Sequence, residues 1–298
     1  MSTTLQTLQS LDVPTLTTLA LVAAVVALVV SDPVLGLRDH RRLLAELATH
    51  GDDRVGAEGA RVRFYRRWAR GGWLWAAVAV ALVTVLPGVG PAALGLRWPD
   101  LAGLGSSVWR GASPAVVTDG DGGVDRETAA GMLVGLLVGT LLVVVVLRVA
   151  ARARAATRRG DGPATLPLAG GTALAPLLPT TPRGRRGWAA LSVTAGVTEE
   201  VTYRGIVVLT LALVLPTAGP RVVVVLAAVV FGLAHAYQGP AGMVATGLAG
   251  AVFAGLYLGT GSLLVPMLLH VLVDLRVLLL TPRRTRDAVP GGAQPVGA

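Results

Sequence analysis

The 298-residue chain is 53% apolar and only 14% charged, with a mean hydropathy of +0.66 and a formal net charge of +9. Soluble domains of this size are not so apolar, so much of the surface must face lipid. The lack of cysteine excludes a disulfide framework, a thiolate nucleophile and Cys-ligated metal. All 26 basic residues are Arg, and with the Ala, Val, Gly and Pro content this points to a GC-rich bacterial genome.

A bilayer-spanning helix needs about 20 apolar residues. Seven stretches qualify, near 14–31, 73–96, 130–149, 188–215, 221–238, 240–259 and 261–280. The expectation is an all-α, polytopic transmembrane helical bundle of about seven spans, within a range of six to eight. The first stretch lacks a basic n-region and a small-x-small cleavage site, so it reads as a retained span rather than a signal peptide. After it, Leu37, Leu43, Leu44 and Leu47 alternate with Arg38, Arg41, Arg42 and Glu46, and Phe64, Tyr65 and Trp68 lie among further Arg. These predict cytoplasmic interfacial helices on an anionic leaflet; for 50–60 a solvated basic linker fits equally. His40 and His50 fall in this surface region and carry no expected chemistry. Span three has a Gly131, Gly135, Gly139 stripe and span six a Gly247, Ala251, Gly255, Gly259 stripe, both read as packing faces. The 160–182 segment reads as a cytoplasmic loop, with Leu174 to Leu178 apolar enough to re-enter the bilayer. The last four spans are nearly contiguous, separated by Pro216 to Pro220, Gly239-Pro240 and Gly259-Thr260-Gly261.

Arginine placement orients the bundle. Nine Arg lie between Arg38 and Arg70, and another group runs from Arg148 to Arg186, whereas the loop 97–129 holds three Arg against five carboxylates. The first two regions belong in the cytoplasm and the loop outside. Seven spans then put the N-terminus outside and the C-terminus in the cytoplasm, in an integral plasma membrane protein of bacterial type. The Arg residues are spread through loops rather than gathered on one face, which argues for topogenic charge and against a nucleic-acid partner. Four parts follow: 1–129 with spans one and two, the Arg-rich surface helices and the outer loop; 130–187 with span three and a cytoplasmic loop; a four-helix core at 188–280; and a disordered cytoplasmic tail at 281–298.

Chemistry concentrates in that core. Glu200 and Arg204, Phe231 and His235, and His270 and Asp274 are pairs at i and i+4, each on one helical face. Each places an ionisable group where insertion costs roughly 2.5–3.5 kcal/mol per charge. Glu199 and Glu200 lie roughly 17 Å into span four at 1.5 Å per residue, near mid-bilayer. Any one pair could be a packing device; three in neighbouring spans at similar depth predict one composite site. Arg204 holding one glutamate ionised would leave the other free to trade protons, a division suited to general acid–base work.

The three motifs carry a family resemblance. Glu199-Glu200-Val201-Thr202-Tyr203-Arg204 resembles the EExxxR motif of the CPBP intramembrane proteases, the CAAX prenyl protease 2 and Abi (bacteriocin-processing) family. Phe231 to His235 resembles its FxxxH motif and His270 to Asp274 its Hxxx(N/D) motif, in the family's order over about 185–280. The resemblance implies an intramembrane endopeptidase acting on a membrane-associated protein or peptide within the lipid bilayer. It casts Glu199, with His235, as the base that activates water, Glu200 and Arg204 as the charge-balancing pair, and His270 with residue 274 as the groups facing the oxyanion. An ionised Asp274, unlike the amide of prenyl-protein proteases, cannot donate there, so it is protonated, orients His270 or binds a metal. In the glutamate reading no cofactor is required; in the metal reading Glu199, His235 and His270 are the zinc-ligand candidates. HExxH, GxSxG and GxGD motifs of other intramembrane proteases are absent. Two other classes use similar residues: a proton-coupled transporter, whose inverted repeats are not visible here, and a non-catalytic scaffold or immunity protein.

Overall fold

The computed structural model describes residues 3–99 and 171–280, and all regular structure among them is helical. The predicted third span at 130–149 with its glycine stripe, nearly all of the outer loop, and the tail lie outside the described residues. A short helix α1 (Thr3–Gln9) leads into α2 (Thr15–His50) and α3 (Arg54–Val85). The core then runs through α4 (Pro182–Glu199), a π-helical segment (Glu200–Val207), α5 (Val208–Val214), α6 (Pro220–Ala234), α7 (Gly239–Thr260) and α8 (Leu264–Leu280). Thr15–His50, Arg54–Val85 and Ala236–Thr260 are long and apolar enough to cross a membrane, and Pro220–Ala234 is a shorter apolar helix. With Leu16, Leu19, Val26, Val30 and Val34 more than half exposed along α2, this is an all-α membrane protein whose apolar surface is its lipid face.

The first two spans are longer than their apolar runs. The expected end of span one at residue 31 falls at Ser31-Asp32-Pro33, where proline removes one backbone donor, yet α2 continues through Pro33 to His50. The predicted surface helices are therefore helical, but continuous with the spans rather than separate from them. At 1.5 Å per residue, 36 residues reach about 54 Å against a hydrocarbon core of about 30 Å, so the Arg-bearing half of α2 projects past the apolar layer. Span two is shifted the same way: α3 begins at Arg54 and stops at Val85, where Leu86, Pro87 and a left-handed Gly88 (φ 81°) turn the chain, not at residue 96. Asp53 caps α3, accepting from the backbone N–H groups of Val55 and Gly56, which hold its carboxyl below the usual carboxylate range.

This projecting hairpin grips the start of the motif helix. Glu58, 3% exposed, accepts from the Thr180 hydroxyl (2.6 Å) and from the backbone N–H groups of Thr180 and Thr181, immediately before α4, with Arg61 pairing to it at 3.3 Å. A Cβ on Gly184 would collide with that carboxylate, so a larger residue there would displace Glu58 from these contacts. Tyr65 donates to the Leu177 carbonyl, and Arg61 Nε to the Pro176 carbonyl at 2.8 Å. Leu174 to Leu178 thus packs on α3, with Leu177 2% exposed. His40, expected on the surface, is buried and donates from Nε2 to the Ala173 carbonyl at 2.9 Å.

α4 also packs closely on α8, because Gly196 leaves room for the Val271 backbone and side chain. Trp188 Nε1 and Arg185 Nη2 donate to the Asp274 and Leu278 carbonyls of α8 at 3.2 and 2.5 Å. Of the predicted span-six stripe, Gly247 faces the Ala228 carbonyl and Gly232 of α6, whereas Gly255 meets nothing. Helix packing thereby brings the ends of α4 and α6 and the middle of α8 together.

Candidate active site

At the end of α4 the backbone changes from i→i+4 to the wider π pattern over Glu200–Val207, a deformation often found at functional sites. Every residue of this segment is buried. Glu200 is fully buried, and its Oε1 accepts from Arg204 Nη1 at 3.0 Å and from His270 Nδ1 at 2.8 Å. The Arg204 guanidinium, 1% exposed, lies 4.1 Å over the Phe231 ring and 5.2 Å over Phe253, and its Nη2 donates to the Gly250 carbonyl at 3.4 Å. Phe253 stacks on His270, with ring centroids 5.1 Å apart. A buried ion pair is tolerable only when its remaining donors and acceptors are engaged. Here the arginine has carbonyl and aromatic partners, while Glu200 Oε2 has no hydrogen-bond partner among the described residues.

The neighbouring glutamate is placed differently. The Glu199 side chain is 28% exposed and its Oε2 has no hydrogen-bond partner among the described residues. That oxygen stands 3.9 Å from His235 Nε2 and 3.8 Å from His270 Nε2. His235 sits at the C-cap of α6, and its Nδ1 donates to the Phe231 carbonyl at 2.8 Å. In the neutral ring this fixes Nε2 as an acceptor turned toward Glu199. His270 uses its Nδ1 on Glu200, so its Nε2 also points at Glu199. Asp274 Oδ2 is 4.0 Å from His270 Nε2, and its side chain is 35% exposed. The orienting partner of His270 is therefore Glu200, not Asp274.

All six residues singled out in the sequence thus lie in one cluster. Glu199, His235, His270 and Asp274 border a cavity of about 400 Å³ that extends between α2, α3 and α4, past Trp75, Gly72 and Gly71, to Asp39 and Arg67. Arg67 Nε lies 3.2 Å from Asp39 Oδ1, but misaligned for a hydrogen bond. Two residues on the cavity wall were missed by sequence reasoning: Asp32 of α2, whose carboxylate accepts from the Tyr203 hydroxyl at 2.5 Å, and Tyr203 itself. A lone acid before proline reads as a helix stop, and only its position beside an apolar run hinted otherwise.

Four-coordinate zinc with ligands at about 2.1 Å places them about 3.4 Å apart. The Glu199–histidine separations are wider, and among the described residues no group of three or more His, Asp or Glu is arranged to hold a metal ion. The described residues do not fit a zinc site.

Fold and site define a helical membrane protein with an acid–base cluster at the meeting point of its core helices. The family model described as type II CAAX prenyl endopeptidase Rce1-like matches residues 185–276, about a third of the chain, and that match bears out the CPBP resemblance of the three motifs. No curated protein and no solved structure matches the chain.

Proposed function

We propose that the protein is an intramembrane endopeptidase in which Glu199 and His235 activate a water to hydrolyse a peptide bond of a membrane-associated protein or peptide. The observation that carries this reading is the position of Glu199 Oε2, 3.8 and 3.9 Å from two imidazole Nε2 atoms. Those separations are too long for direct hydrogen bonds and suit a shared water. Glu199 takes one water proton as the oxygen attacks the scissile carbonyl, while His235 Nε2 accepts a hydrogen bond from the remaining O–H, which stays on the oxygen, and so aims its lone pair. His270, held as the imidazolium by the Glu200 carboxylate on its Nδ1–H, donates from Nε2 to the developing oxyanion; one such preorganised donor is worth about 3 kcal/mol. Glu199 then returns its proton to the leaving amine. Glu200 and Arg204 neither gain nor lose a proton, and hold His270 in place. Asp274 lies at the rim, where its carboxylate biases the charge of His270. The Arg distribution supports an N-terminus outside and a cytoplasmic C-terminus, with substrate reaching the cavity from the cytoplasmic side.

The test is cleavage of quenched fluorescent peptides carrying a lipid anchor, with and without a prenylated cysteine, by protein reconstituted in liposomes. Glu199→Ala and His235→Ala should each abolish turnover; wild-type rates in both variants would sink the mechanism. Chelation should leave the rate unchanged, and inhibition reversed specifically by Zn²⁺ would replace the glutamate chemistry with metal chemistry.

A further inference from the structure

Asp32 lies on α2, far in sequence from the matched segment 185–276, yet it borders the same cavity as Glu199 and His235. Its Oδ2 accepts from the Tyr203 hydroxyl at 2.5 Å, and the Trp75 indole of α3 lies beside the same carboxylate. An acid among apolar side chains at this depth costs several kcal/mol unless its acceptors are used. The structure therefore offers an explanation of its presence in the partner it holds.

Tyr203 is 4% exposed and sits in the π segment, directly before Arg204. Its ring meets Phe231 edge-on, with centroids 5.0 Å apart. Phe231 carries two parts of the site at once: its ring lies under the Arg204 guanidinium at 4.1 Å, and its carbonyl accepts from His235 Nδ1 at 2.8 Å. A contact chain thus runs from Asp32 through the Tyr203 hydroxyl and ring to Phe231, and from there to Arg204 and His235. The π segment has one hydroxyl anchored outside the core helices, and Asp32 is where it is anchored.

Resting on the hydrolase reading above, we infer that Asp32 is a positioning residue of the site: it holds Tyr203, and through it Phe231, so that Arg204 and His235 keep their places. α2 is then part of the machinery rather than a membrane anchor alone. The conservative variant is informative because an amide oxygen still accepts a hydroxyl proton, whereas leucine cannot.

The experiment measures kcat and KM with the anchored peptide in liposomes, together with amide hydrogen exchange over residues 200–207, for Asp32→Leu, Asp32→Asn, Tyr203→Phe and the Asp32→Leu/Tyr203→Phe double variant. Loss of one buried hydrogen bond should lower kcat about tenfold to hundredfold in Asp32→Leu and in Tyr203→Phe, with KM within about twofold. The double variant should be no worse than either single one, because both remove the same bond. Exchange over 200–207 should quicken in all three and stay near wild type in Asp32→Asn, whose kcat should recover most of the loss. Wild-type kcat in Asp32→Leu, multiplicative losses in the double variant, or an Asp32→Asn as impaired as Asp32→Leu would each overturn the inference. Tyr203→Phe removes one oxygen only and decides the matter if Asp32→Leu does not fold. A wild-type protein that cleaves nothing, with the exchange pattern as expected, would retire the hydrolase reading and leave the Asp32 tie standing.

Discussion

Glu199 and Glu200 are adjacent and chemically identical, and the protein treats them as opposites. Glu200 is enclosed, gripped by an arginine and a histidine through a single oxygen. Glu199 opens on the cavity with its Oε2 unpaired between two imidazoles. The closed side is what a protein builds to fix geometry; the open side is what it builds to move a proton. The contrast comes from the backbone, since α4 ends between them and the π turn begins. Under the proposed mechanism, one dipeptide supplies both a structural and a reactive carboxylate through a change of helix type at the peptide bond between them.

Several substitutions would break or sharpen that contrast. The largest effect is expected at Glu199→Gln, which should cost about 10²–10⁴ in kcat, the usual worth of a general base, while thermal unfolding in detergent stays close to wild type. An equal loss of stability would erase the distinction between the two glutamates. Glu200→Ala should do the reverse first: leaving Arg204 buried without its carboxylate should destabilise the protein by about 3–5 kcal/mol, seen as a lower unfolding temperature. Asp274→Asn, at the rim and 4.0 Å from His270, should change kcat by about tenfold or less; a loss as large as that of Glu199→Gln would move Asp274 into the reacting centre. Gly71 borders the cavity, and a Cβ there would meet no atom of the described residues within 4 Å, so Gly71→Leu should raise KM several-fold by reaching into the cavity, as steady-state kinetics would show. The smallest effect belongs to Asp53→Ala at the hairpin tip. Its lowered carboxyl contributes stability that is present above about pH 4 and is lost as pH falls through the folded-state value, so the variant should match wild type in an unfolding titration at low pH and fall slightly below it at neutral pH.

Much of the site was legible because it violates its surroundings. Charged groups at four-residue spacing inside apolar runs need a reason, and the ordered motifs supplied one. The last four helices lie within a few residues of their expected places, since Pro and Gly punctuate them. What did not show was whatever depends on a distant partner. Asp32, one residue past the expected end of span one, drew no notice because nothing local reveals that the Tyr203 hydroxyl donates to it. His40 read as surface because its acceptor, the Ala173 carbonyl, lies 133 positions away. The apparent break between spans and surface helices was a change in side-chain polarity, which a helix crosses without interruption. The π turn leaves no mark in composition either, as Glu-Val-Thr-Tyr-Arg suits an ordinary helix.

The grip of Glu58 on the start of α4 gives the chain an unusual pattern of mutational tolerance. A helix that supplies its own cap can drift in sequence one residue at a time. This one takes part of its cap from a carboxylate 122 positions upstream, next to a glycine whose replacement by any larger residue would push that carboxylate aside. Glu58, Thr180 and Gly184 should therefore vary together or not at all among relatives, because they meet where the hairpin touches the helix that carries Glu199.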